Sequence, residues 1–189
     1  MKKVLLTLIV VIGQFLSLSA QSSDQLLDRI EQANANLKTR SLKFTELREP
    51  AGKETKQFDG KLTYDPNSGI VMNYTDPGEH FIINGNTMTM KREGTELFFD
   101  LTKNKPMKTL SNMLMASFNG QLRNLATENK ASIEAKVLKD CTEVTMQALK
   151  KAVKGYAKIV LKYDAKSSQI IYMMLEEFDG TKTTYEIQK

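Results

Sequence analysis

The chain has one histidine, His80, and one cysteine, Cys141, and these two residues bound the chemistry open to it. A serine or cysteine nucleophile needs a base beside it. His80 follows Pro77-Gly78-Glu79, and in that setting it reads as an exposed turn residue. One imidazole and one thiol cannot supply a zinc or copper ligand set, and Cys141 reads as a small packing residue at the start of a strand. Glu176 and Glu177 are neighbours, so on a strand they would point to opposite faces and could not pair for glycoside cleavage. No phosphate-cradling glycine loop occurs. The expectation is a binding protein, not an enzyme, with no catalytic residue, metal or cofactor.

Soft apolar side chains are what the sequence has in excess. There is no tryptophan, and Met72, Met88, Met90, Met107, Met113, Met115, Met146, Met173 and Met174 all lie past the first 20 residues. Methionine is flexible and polarizable, so it fills ordinary cores and also lines sites that adapt to varied apolar partners. The pattern near the C-terminus favours the second use. Ile170, Tyr172 and Met174 alternate with Ile171, Met173 and Leu175, which predicts a strand covered on both faces.

Those side chains need elements to hold them. Lys2 and Lys3, an apolar run from Val4 to Leu18 and small residues up to Ala20 read as a signal peptide over residues 1–20. Residues 21–189 then form a single exported domain held by packing, because one thiol cannot form an internal bridge. Ser22 and Gln25 have the form of a capping box, and Leu26, Leu27, Ile30, Ala33 and Leu37 follow at helical spacing. From Ser41 the period changes to two. Turn residues at Asp59-Gly60, Asp65-Pro66-Asn67-Ser68-Gly69, Asp76-Pro77-Gly78, Asn84-Gly85-Asn86 and Arg92-Glu93-Gly94 divide the middle of the chain into a meander.

Asn104 and Pro106 start a second helix, with Leu110, Met113, Leu114 and Phe118 on one face and Gly120 as its stop. Strands follow over Ile133 to Leu138, Thr142 to Ala148, Ala157 to Tyr163, Ser168 to Glu177 and Thr181 to Ile187. The total is about eleven strands and two or three helices, a mostly antiparallel α+β fold. A curved sheet with a helix in its concave side can leave a cavity between the two. The helix from Met107 to Phe118 is the expected inner element, since Met113-Leu114-Met115 makes it apolar around more than one face.

Net charge is +5, which becomes +3 once Lys2 and Lys3 leave with the leader. Without aromatic residues among the lysines there is no platform for nucleic acid. The cluster Lys150, Lys151 and Lys154 reads as a solvated turn, with contact to an acidic partner or anionic headgroups as the second reading.

In order of elements the sequence resembles the LolA-like periplasmic outer-membrane lipoprotein carriers. The resemblance rests on Gly60-Lys61-Leu62-Thr63-Tyr64, then Ile70-Val71-Met72-Asn73-Tyr74-Thr75-Asp76-Pro77, then Phe81-Ile82-Ile83-Asn84-Gly85-Asn86-Thr87-Met88. It implies an open half β-barrel with a helical lid over a hydrophobic cavity. It also implies a soluble, monomeric periplasmic chaperone that binds the acyl chains of lipoproteins. Its partners would be an inner-membrane lipoprotein-releasing transporter and an outer-membrane acceptor. The expected cavity residues are Phe44, Met72, Tyr74, Phe81, Met88, Met90 and Phe99 on the strands, with Leu110, Met113, Leu114 and Phe118 on the lid helix.

Two departures concern the lid and the cargo. The family's basic residue and proline before the aromatic strand are replaced by Asp65-Pro66-Asn67-Ser68-Gly69, and its tryptophans by Asn73, Tyr74, Met88 and Met90. A half-barrel sensor of mislocalised lipoproteins and a carrier of free glycolipid or pigment-precursor lipids are the alternative readings.

Overall fold

The structure, a computed structural model, describes residues 21–76, 78–92 and 94–188. The expected signal peptide lies outside the described residues. Strands β1 (Arg40–Glu49), β2 (Lys56–Asp65), β3 (Gly69–Tyr74), β4 (His80–Asn84), β5 (Thr87–Arg92) and β6 (Thr95–Asp100) form one run of antiparallel hairpins. Strands β7 (Ala131–Val137), β8 (Cys141–Ala148), β9 (Tyr156–Asp164), β10 (Ile170–Glu177) and β11 (Lys182–Gln188) form a second. β1 pairs with β11, giving the order β6-β5-β4-β3-β2-β1-β11-β10-β9-β8-β7. The edges β6 and β7 do not pair with each other. The sheet is thus the expected half-barrel: eleven antiparallel strands, unclosed.

Register explains why one face is apolar. Directly opposed residues share a face, so Tyr64, Ile70, Ile83, Met88 and Phe99 make one cross-strand row, and Leu62, Met72, Phe81 and Met90 make the next. On the other half, Glu46, Tyr185, Met173, Leu161, Val144 and Ala135 form a matching row. Gly60 stands between Phe44 and Tyr74 in such a row. A Cβ there would lie 2.4 Å from the Asn73 carbonyl oxygen and 2.7 Å from the Phe44 ring, so only glycine lets these three strands close up.

Among the described residues three helices cover the concave face: α1 (Ser23–Asn34), α2 (Lys105–Asn119) and α3 (Leu122–Glu128). The capping box of α1 is present, with the Gln25 N–H donating to Ser22 Oγ and the Ser22 N–H to Gln25 Oε1. α1 ends at Asn34, whose side-chain amide donates to the carbonyls of Ile30 and Ser168. Leu37, expected on the helical face, lies beyond that end and packs against the core from the connection to β1. Asn104 caps α2, Pro106 sits in its first turn, and Gly120 ends it at φ 79°. A Cβ on Gly120 would come within 2.9 Å of Glu31 Cα, so α1 and the end of α2 pass closely. Arg123 on α3 reaches Asp24 and Asp28 of α1 at 3.3 and 2.8 Å.

The structure corrects three local expectations. β10 is not covered twice: Met173 and Leu175 are buried in the concave face, but Ile171 is exposed and Tyr172 and Met174 are half-buried. On that other face the Lys162 ammonium lies 4.7 Å from the Tyr172 ring. Ser168, expected to start β10, has φ 53° and the strand begins at Ile170. His80 is not an exposed turn residue but the half-buried first residue of β4. Its cross-strand row over Lys91 leads to Glu96, whose Oε1 is 3.2 Å from His80 Nε2.

Candidate functional site

How far α2 fills the concave face decides where a ligand can go. Its C-terminal half is locked down. Phe118 stacks on Tyr64 with ring centroids 5.1 Å apart, and the Tyr163 hydroxyl donates to the Ser117 carbonyl at 2.9 Å. Met113, Leu114, Ser117 and Phe118 are all buried. Its N-terminal half is not: Lys105 and Pro106 are exposed, and Met107, Thr109 and Leu110 are half-buried. The helix therefore plugs one part of the half-barrel and leaves the other open.

Beneath that first turn lies a hollow of about 1130 Å³, just above the roughly 300–1,000 Å³ of small-molecule sites. Met146 and Ile159, both buried, form its floor with Ala131, Ala148 and Tyr156. Register accounts for this wall, because Ile133–Met146–Ile159–Leu175 is a cross-strand row, and Ala148 follows Met146 by two residues on the same face. Small residues at the strand ends, Ala131 opposite Ala148, leave the space that larger ones would fill. Phe178 closes one side, its N–H donating to the Gly155 carbonyl.

The mouth is charged. Lys105, Lys130, Lys150, Lys151, Lys154 and Lys158 line it, with Glu177 at the end of β10 and Asp179 in the turn that follows. Burial first, and then the Glu177 charge, push the Tyr156 phenol up to about 12, so it remains a neutral hydroxyl on the wall. Burial also raises the Glu177 carboxyl above the usual range. The arrangement is an apolar slot under a largely cationic rim, suited to an oily chain with an anionic or polar head. Among the described residues no group of three or more His, Cys, Asp or Glu side chains is placed to hold a metal ion, and no helix is long and apolar enough to cross a membrane.

The eleven residues expected from the sequence share the concave side but not this hollow. Phe44, Met72, Tyr74, Phe81, Met88, Met113, Leu114 and Phe118 are buried, and Met90, Phe99 and Leu110 are half-buried against the same core. Phe44 and Tyr74 border a shallow groove of about 480 Å³ beside Gly60. Phe118 borders a cleft of about 270 Å³ with Leu42 and Ile187. The wall residues Met107 and Met146 belong to the methionine surplus, and Met107 also opens the helix expected on the concave side. Cys141 is buried at the first position of β8, and burial pushes its thiol up, as fits a packing residue.

One interior feature had no place in the sequence reading. Glu46, fully buried, accepts from the Tyr74 hydroxyl at 2.5 Å and forms an ion pair with Arg48. The Arg48 guanidinium lies 4.0 Å from the centre of the Phe58 ring. Burial, then the Glu46 charge, raise the Tyr74 phenol far above its ordinary value. The signal was phase: Glu46 falls two residues after Phe44, on the inward face.

No protein-family model matches the sequence, and no curated protein matches it. Solved structures of similar shape include a LolA superfamily protein, NE2245, from Nitrosomonas europaea, at 8% identity, with TM-score 0.43 over 90% of this chain and 93% of that one. LprF from Mycobacterium bovis is similar at 13% identity and TM-score 0.45, over 88% and 91% of the two chains. The MucB complex with MucA from Pseudomonas aeruginosa is similar at 9% identity and TM-score 0.45, over 87% of this chain and 55% of that one.

Proposed function

We propose that this chain is a periplasmic carrier that takes up the acyl chains of lipoproteins and moves them from the inner to the outer membrane. The observation that carries the reading is the hollow of about 1130 Å³ with an apolar floor, left where α2 stands clear of an unclosed sheet. An acylated protein cannot cross water unaided, because each exposed methylene costs about 0.8 kcal/mol. A carrier without an energy source must hide those chains and still release them. A slot floored by Met146 and flanked by Met107 supports both needs, since methionine adapts its shape and locks nothing in place. The closed rows through Met72, Met88 and Phe81, under Met113 and Leu114, form the second part of the proposed path, opened when α2 moves outward. An inner-membrane lipoprotein-releasing transporter would supply the cargo and an outer-membrane acceptor would receive it.

Native mass spectrometry after gentle purification tests this. A co-purified acylated polypeptide supports lipoprotein transport. A bound small lipid supports the alternative carrier of free glycolipid or pigment precursors, and a chain that is empty under every condition overturns both.

A further inference from the structure

Between β8 and β9 the chain runs through Leu149-Lys150-Lys151-Ala152-Val153-Lys154-Gly155, and every residue of this segment is exposed. The last rung of the β8–β9 ladder pairs Gln147 with Lys158, and the segment beyond it is tied at its two ends, where the Leu149 N–H donates to the Lys130 carbonyl and the Gly155 carbonyl accepts from the Phe178 N–H. Its tip is unlike an ordinary solvated turn: Val153 is 95% exposed and Leu149 67% exposed. Three lysines accompany these apolar side chains at Lys150, Lys151 and Lys154. The segment also forms part of the hollow's mouth.

The geometry points to this loop as a membrane-docking element that sets the hollow's mouth against an anionic phospholipid surface. Leu149 and Val153 enter the boundary between headgroups and acyl chains, and Lys150, Lys151 and Lys154 meet the anionic headgroups around them. A protein partner would match the lysines with acidic side chains but would bury Val153 in a pocket, whereas a bilayer receives an isolated projecting valine anywhere on its surface. The hollow makes the bilayer the favoured occupant, since a chain leaving it at this mouth passes directly from one apolar medium to another. The inference rests on the carrier reading for its purpose and on the loop's own chemistry for its mechanism.

The chain has no tryptophan, so Val153→Trp provides a single fluorescent reporter at a position exposed enough to leave the fold unaffected. Vesicles of phosphatidylcholine with one-third phosphatidylglycerol should shift its emission to the blue, and pure phosphatidylcholine vesicles should not. In co-sedimentation, Lys150→Glu, Lys151→Glu and Lys154→Glu combined should weaken binding to the anionic vesicles by at least about a hundredfold, and salt should weaken vesicle binding by the unmodified chain. An unshifted emission with both vesicles, or sedimentation that ignores the three charge reversals, overturns the proposal, as does binding to acidic proteins with none to vesicles. Uptake of a fluorescent acyl probe by the unmodified chain without vesicles reads the carrier function separately. Loss of vesicle binding with probe uptake intact removes only the docking step, whereas failed uptake with vesicle binding intact removes only the carrier.

Discussion

The affinity of the hollow for simple acyl chains should climb with chain length and then stop. Benzene occupies an engineered cavity of about 150 Å³, or roughly 25 Å³ per carbon. At that density about 1130 Å³ corresponds to roughly 45 carbons, but the mouth is open, and the sheltered part of the hollow is taken up by about one long chain. Each methylene buried contributes about 0.8 kcal/mol, a factor of ~4 in Kd. Lengthening a fatty acid from about eight to about twelve carbons should therefore tighten binding by ~3 kcal/mol, or ~200-fold. Competition against a fluorescent acyl probe measures the series. Ala148→Trp puts an indole into the hollow from a half-buried position at the end of β8. It should exclude two or three methylenes and weaken the longest ligands by about 2 kcal/mol, or ~30-fold, with little effect on the shortest. Affinities independent of length, or an Ala148→Trp chain that binds long acyl groups as the unmodified one does, would refute the reasoning.

Three further outcomes follow from the packing and the charges. Gly60→Ala forces a Cβ against the Asn73 carbonyl and the Phe44 ring, and should cost about 1–3 kcal/mol in urea unfolding; an unchanged midpoint would show that β1–β3 do not pack as described. Glu46→Ala removes the partner of Arg48 and Tyr74 and should cost about 3–5 kcal/mol, while Glu46→Gln, which still accepts from Tyr74, should cost less in the same melts. The Thr39 hydroxyl, then the Ser68 and Asn67 amides, hold the Asp65 carboxyl at about 2, below its ordinary 3.8. Its contribution is present above about pH 4 and is lost as pH falls toward 2. Asp65→Asn should therefore lose less stability between pH 5 and pH 2.5 than the unmodified chain, and equal losses in the two would count against it.

The strands were legible because period-two apolar residues sit between turn residues that end them, as at Asp65–Gly69 and Asn84–Asn86, and the Asn104, Pro106 and Gly120 signals bounded α2 well. α3 was not specified, since Leu122–Glu128 spans only two turns and is fixed by the Arg123 contacts with α1. Periodicity names the face a residue joins but not the depth to which a helix sinks into it. Met72, Met88 and Met113, expected along the cavity, are closed in the core. The hollow depends on where Phe118 anchors and on the long chain between β8 and β9, both tertiary matters. The same limit hid the Glu46 network: Arg48 is its neighbour along β1, but Tyr185 and Tyr74 come to it only across the β1–β11 and the β1–β2–β3 ladders.

The pairing of β1 with β11, Phe44 opposite Ile187 and Thr45 opposite Glu186, means that the first strand meets its second neighbour only when the last one exists. Every other rung joins strands consecutive in the chain. A polypeptide cut short before Lys182 would expose raw backbone donors and acceptors along the middle of the sheet, an adhesive seam ready to recruit another chain. Proteolytic trimming at the C-terminus should for that reason produce clumping before it produces any loss of the hairpins themselves.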